Sequence, residues 1–235
     1  MWRGLDRSEG GRGFPKRFER RPFPEDFAIV LDFLPQGNPL DRHPEHRREP
    51  LVQAIGEKHF TLMEIVTRHG EDFKPGERLY VNPEYVGRGP VRSIVAPISF
   101  EELTSVAVEN LKNVIEQLVK EKEKIFVEIF NVSEPLTLKM HALELIPGIG
   151  KKCLSAILEE RRIRRFESFE DLEKRLSMRG IRLQDPSKLI AERILIELRG
   201  GQRHYLFVRP REEERDARYL GYLRRLYSLG ERAER

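Results

Sequence analysis

The stretch LELIPGIGKKCLSAILEERR, from Leu143 to Arg162, holds the residues best suited to chemistry on an anion. Gly148 and Gly150 lack a Cβ, so the backbone there turns tightly and comes close to a ligand. Ile149, between them, is apolar and fits inward between two helical patterns. The N–H groups opening the second pattern have no intrahelical acceptor and carry the positive end of the helix dipole. Lys151 and Lys152 add charge just behind them. Gly148, Ile149, Gly150, Lys151 and Lys152 therefore make a site for one backbone phosphate, held by the amides of Ile149 to Lys151 and by both lysine side chains, without regard to base. Arg161, Arg162, Arg164 and Arg165 widen that positive footprint: residues 151–165 hold six Lys/Arg against two Asp/Glu. Residues 1–21 hold seven against three. There Arg12, Lys16, Arg17, Arg20 and Arg21 are interleaved with Phe14 and Phe18, a mixture suited to phosphates and stacked bases.

Other reactive residue types lead less far. His43 and His46 lie in the polar stretch PQGNPLDRHPEHRREP, but two histidines without a Cys or a third placed ligand do not define a metal site. Neither a metal nor a cofactor is expected. Cys153 beside Lys152 is either a reactive thiol or a small residue on a helix, and the second reading is favoured. As the single cysteine it excludes an intramolecular disulfide and fits a reducing, cytoplasmic setting. Asp171 sits in an ordinary surface pattern, and Asp185 before Pro186 reads as a helix cap. There is no P-loop, dinucleotide fingerprint, nucleophile elbow or paired-histidine helix, and no spaced carboxylate set for metal-assisted hydrolysis. The expectation is a binding protein, not an enzyme.

The elements that must position these residues follow from patterning. The chain has 235 residues, 39% hydrophobic and 35% charged, with a formal charge of +4. No run approaches the roughly 20 apolar residues of a membrane span, and no signal-like apolar region opens the chain. Residues 1–26 read as a basic, mobile arm. FAIVLDFL, LVQAI, FTLMEIV, RLYVN and VRSIVAPI give about five short strands within residues 27–98. That number and spacing suit a small closed or nearly closed barrel, OB-like first, SH3-like or a small sandwich otherwise. Residues 99–135 form a linking helical segment, opened by the S-x-x-E capping box of Ser99 and Glu102. Its apolar face is Leu103, Ala107, Leu111, Val114 and Leu118. IFVEIFNV fits strand or helix. Residues 136–201 form a helical domain: LTLKMHALELI as a short helix, the PGIG turn, the helix of KKCLSAILEERR, then FESFEDLEKRL and a helix from Pro186. RHYLFV, within 202–208, reads as a strand returning to the barrel. The charged tail, 209–235, has a helical face of Tyr219, Leu223, Leu226 and Tyr227, able to dock on a partner or on the protein itself.

LELIPGIGKK resembles the helix-hairpin-helix motif of DNA- and RNA-handling proteins, with its h-x-G-h-G hairpin. The likeness departs where the motif has a small residue four places after the second glycine; here Leu154 stands there. MRGIRLQDPSKLIAERILIEL resembles a second, degenerate hairpin lacking the second glycine. The arrangement from FAIVLDFLPQG through LELIPGIGKK and FESFEDL, residues 25–208, resembles the archaeal family DUF655. That resemblance implies nucleic-acid binding, RNA favoured, by an OB-like N-terminal part and a helix-hairpin-helix C-terminal part. It also implies a partner in ribosomal RNA or the ribosome. The alternatives are a module docking on ribosomal or transcription proteins, and a DNA-repair accessory or enzyme. A phosphate grip does not report the 2′-OH, so RNA is favoured by the resemblance and not by the hairpin.

Overall fold

The computed structural model describes residues 25–39, 41 and 44–233. Arg12, Lys16, Arg17, Arg20 and Arg21 of the basic arm, and His43, lie outside the described residues. Five strands stand where the β-branched runs place them: β1 (Phe27–Leu34), β2 (Leu51–Gly56), β3 (Leu62–Thr67), β4 (Arg78–Tyr80) and β5 (Val91–Val95). They form one sheet in the order β4-β1-β2-β3-β5, each neighbouring pair antiparallel. The edges β4 and β5 share no ladder, so the sheet is a curled half-barrel, which falls short of the closed or nearly closed OB-like barrel expected. The edge strand β4 is only three residues long, all paired with β1, and β5 runs antiparallel to β3.

The half-barrel is buried on both faces, which is why β2 and β3 read as nearly continuous apolar runs. Ala28, Val30, Val52, Ala54, Met63 and Ile65 pack on one side with Phe73, Leu79, Val81 and Val91. Leu31, Ile55 and Leu62 join a second core shared with the helices. The central helix of that core is α1 (Ser105–Glu121), which packs against β1 and against α6 (Pro186–Arg199). Ala107, Leu111, Ile115, Leu118 and Val119 form its buried stripe, close to the face expected. The helix starts later than the capping box suggested. Glu102 does take the Ser99 N–H at 2.6 Å, but it closes only a 3-10 turn, Phe100–Glu102. Thr104 caps α1 instead, its Oγ1 accepting the Ala107 N–H and donating to Asp32 at 2.6 Å.

The ambiguous IFVEIFNV resolves into two short helices, α2 (Glu123–Phe126) and α3 (Glu128–Val132). LTLKMHALELI is not one helix. Residues Pro135–Thr137 (β6) and Met140–His141 (β7) make a small hairpin with Leu138 fully exposed at its turn, and only Ala142–Leu145 coils, as one 3-10 turn. Thr137 Oγ1 accepts the N–H groups of Lys139 and Met140, a local bond that offers the backbone an alternative to helix. Next come α4 (Lys151–Ile163) and α5 (Phe169–Met178), with Asp185 capping α6 as expected through the Ser187 N–H at 2.9 Å.

RHYLFV does not return to the barrel. His204–Tyr205 (β8) pairs in parallel with Arg218–Tyr219 (β9). The next three amides, of Leu206, Phe207 and Val208, all donate to the buried Glu197 carboxylate at 2.7–2.9 Å, so a side chain takes the donors a sheet would have used. The tail helix α7 (Tyr222–Ala233) docks on the protein itself. Tyr222, Leu223 and Leu226 are buried, while Tyr227 is only half covered and Tyr219 stays exposed.

Candidate nucleic-acid interface

The PGIG turn is built in three steps. The 3-10 turn Ala142–Leu145 ends at Ile146, whose carbonyl accepts the Ile149 N–H at 3.2 Å. Gly148 holds φ +83°, a left-handed conformation that side chains disfavour, and a Cβ there would stand 3.3 Å from Leu189 of α6. Ile149 turns inward and is buried in the shared core, as expected. Gly150 then caps α4 with φ −83°, an ordinary value, and a Cβ added to it would meet nothing within 4 Å. The first amide bond within α4 is Leu154 N–H to Gly150 O at 2.9 Å. The amides of Lys151, Lys152 and Cys153 therefore precede the helical ladder and face outward. Because the Ile149 N–H is spent on Ile146, the donors available to an anion begin at Gly150, one residue later than the spacing suggested.

The cations separate into two groups. Lys151 and Lys152 are both exposed at the open end of α4. Lys151 Nζ bonds Glu144 at 2.7 Å and the Lys139 carbonyl at 2.9 Å, and holds the Glu144 carboxyl below the usual carboxylate range. Lys152 has no ion-pair partner among the described residues. Arg161, Arg162, Arg164 and Arg165 lie at the other end of the helix, roughly 15 Å along its axis from Lys151. Arg161 donates to the carbonyls of Phe130 (3.2 Å) and Ser133 (2.9 Å), tying α4 to the end of α3. Arg164 pairs with Asp171 at 2.8 Å and with Glu167, and Arg165 pairs with Glu128. Only Arg162 of the four is exposed with no ion pair among the described residues. The expected single footprint is thus a compact pole, Gly150, Lys151 and Lys152, and a distant set of mostly structural arginines. Separation by a whole helix is invisible to a count of charge along the chain.

Several residues at or near this pole were not singled out by sequence. Glu144 and Lys139 hold Lys151, and Leu189 explains Gly148. Elsewhere, Asp171 accepts from Arg164 and Arg175, which makes it part of an ion-pair network. Cys153 is buried, and burial pushes its thiol up, so the inert reading stands. A cleft of about 370 Å³ between α1, α5 and α6 is lined by Glu123, Glu170, Glu173 and Asp185 against Lys120, a charge set that repels phosphate.

One polar cluster is larger than expected. His46, on a 3-10 turn (Pro44–Arg47), lies with Nδ1 2.8 Å from Glu64 of β3 and 3.2 Å from Asp41. Gln53 of β2, paired in register with Glu64, donates to that carboxylate at 2.9 Å and accepts the Thr104 N–H at 2.7 Å. A polar residue in the middle of each of two otherwise apolar strands, LVQAI and LMEIV, is the sequence signal that marks it.

Comparison with known proteins places the chain. A family model described as "Protein of unknown function (DUF655)" matches residues 24–209. The chain is similar to "Uncharacterized protein MJ0038" of Methanocaldococcus jannaschii, 38% identical over 198 residues, covering 83% of this chain and 85% of that protein. It is also similar to the crystal structure of Af1531 from Archaeoglobus fulgidus, assigned to DUF655. The TM-score is 0.66 at 44% identity, over 79% of this chain and all of that one. With more than half its length matched by the family model and archaeal relatives at this identity, the chain belongs to the DUF655 family.

Proposed function

We propose that this protein is a non-enzymatic nucleic-acid-binding protein, RNA favoured and ribosomal RNA first, that grips a backbone phosphate at the start of α4. In this reading the Ala142–Ile163 unit works as a helix-hairpin-helix, with its first helix cut to one 3-10 turn, and the half-barrel takes the OB-like role. The observation that carries it is Gly150. Its backbone is ordinary and its surroundings are open, so apart from a modest N-cap preference nothing inside the fold calls for glycine. A ligand backbone approaching the α4 amides does call for it. Lys152, exposed beside those amides, supplies the charge.

Fluorescence anisotropy with a labelled single-stranded RNA tests the grip. Gly150→Val and Lys152→Glu should each weaken binding about tenfold or more, as loss of a charge-assisted bond would, and equally for unrelated sequences. Normal affinity in both variants, with melting unchanged, would overturn it. Cross-linking in the protein's own cells followed by sequencing identifies the nucleic acid: reads concentrated in one rRNA region support the ribosomal reading, and reads spread over DNA point to repair. Little nucleic acid above background would favour the protein-docking module.

A further inference from the structure

The cluster around His46 is the strongest unassigned feature of the fold. His46, Asp41 and Glu64 are 2%, 7% and 3% exposed. They come from two places, the β1–β2 connection, which carries Asp41 and the 3-10 turn of His46, and β3, and one ligand atom of each lies within 4.8 Å of the others. Both carboxylates converge on the same ring nitrogen, Glu64 Oε2 at 2.8 Å and Asp41 Oδ2 at 3.2 Å. An imidazole nitrogen offers one in-plane position, a single N–H or a single lone pair. One N–H serves one carboxylate well. Two carboxylate oxygens at such a point repel each other unless a proton or a cation lies between them.

The surroundings hold the arrangement from outside. Gln53 Nε2 occupies Glu64 Oε1 at 2.9 Å, which leaves Oε2 aimed at the imidazole, and the Thr104 N–H and the Glu102 carbonyl fix Gln53 in turn. Arg47 Nε donates to the Asp41 carbonyl at 2.8 Å and steadies the loop that delivers Asp41. Hydrogen bonds that orient ligand side chains from behind are characteristic of metal sites. One nitrogen and two carboxylate oxygens make a borderline donor set, the type that takes zinc and its first-row neighbours.

We propose that Asp41, His46 and Glu64 bind a divalent first-row cation, zinc the first candidate, that clamps the loop after β1 onto the half-barrel. The ion is enclosed, so it acts on the fold and not on an external substrate.

Full-length protein, stripped with a chelator and dialysed, is titrated with zinc chloride by calorimetry and by thermal melting, with magnesium as the control. The expected result is about one zinc per chain. Melting should rise by about 5 °C or more at a hundredfold excess over Kd, and magnesium should produce no rise. Glu64→Gln, which keeps the shape of the side chain, should abolish both effects. Cobalt in place of zinc gives a second readout that needs no variant: visible d–d bands of ordered low-coordinate ligation in the wild-type chain. No stoichiometric zinc and no melting shift in the wild type would overturn the proposal. So would zinc binding that survives in folded Glu64→Gln, which would assign the ion elsewhere. A Glu64→Gln chain that melts higher than wild type, with neither chain responding to zinc, would show that a shared proton reconciles the carboxylates.

Discussion

A Cβ added at Gly150 meets no atom within 4 Å and needs no change of φ, whereas one at Gly148 needs φ +83° and pushes on Leu189. Gly148→Val should therefore cost about 1–2 kcal/mol for the left-handed backbone alone, read as a fall in the chemical-denaturation midpoint. Gly150→Val should cost at most about 1 kcal/mol, as a poorer cap. If both lose RNA affinity but only the first loses stability, the second glycine serves the ligand. His141 gives a residue-scale prediction in pH. Its ring is buried, Nδ1 accepts the Leu143 N–H at 3.2 Å, and burial, with Arg161 nearby, holds its pKa below the usual 6.5. The folded state thus resists protonation. The contribution to stability is complete above about pH 6.5 and is lost as pH falls from there through the depressed folded value. Denaturant midpoints between pH 7.5 and 5 should show that decline, and His141→Asn, still able to cap, should flatten it.

At the scale of elements, the basic run on α4 divides by what it touches. Arg161 serves the carbonyls at the end of α3. Arg161→Met should cost about 1–2 kcal/mol, the worth of hydrogen bonds to a charged group partly open to water, and leave RNA affinity unchanged. Reduced affinity with unchanged stability would reverse that assignment. The docked tail makes a parallel case. Leu226 of α7 is fully buried, so Leu226→Ala should lower stability by about 3 kcal/mol, measured by denaturation. A smaller loss, near zero, would mean that α7 docks elsewhere in solution. Elements with strong periodicity were legible in the sequence: the five strands, α1 and α6 with its Asp185 cap. Those decided by competing side-chain bonds were not. Thr137 favours a turn where apolar spacing suggested helix, and Glu197 takes the three amides that would have made RHYLFV a strand.

For the whole molecule, the reading predicts an electrostatic signature. RNA affinity should fall linearly on a log–log salt plot, with a slope near −0.7 per phosphate neutralised on a single strand. Replacing Arg12, Lys16, Arg17, Arg20 and Arg21 with Gln should reduce that slope by up to about 3.5, while Lys152→Gln should reduce it by less than about 1. Equal slopes in all three proteins would remove both the arm and the α4 pole from the binding surface. The core that carries this surface is continuous. Leu31, Ile55, Phe60 and Leu62 of the sheet side pack in the same cluster as Ile149, Ile157 and Leu189, so the half-barrel and the hairpin unit share their apolar interior.

The sequence by itself determined the five short strands, the α1 face, the turn at PGIG and the family, because each rests on local periodicity, on turn residues or on contiguous motif. Only tertiary structure decided that the barrel stays open, that the Arg161–Arg165 cluster stands a helix length from Lys152, and that Asp41 and Glu64 meet His46. These depend on which side chains claim which backbone donors and on contacts between residues far apart in the chain, and no spacing along the sequence encodes the distance between them.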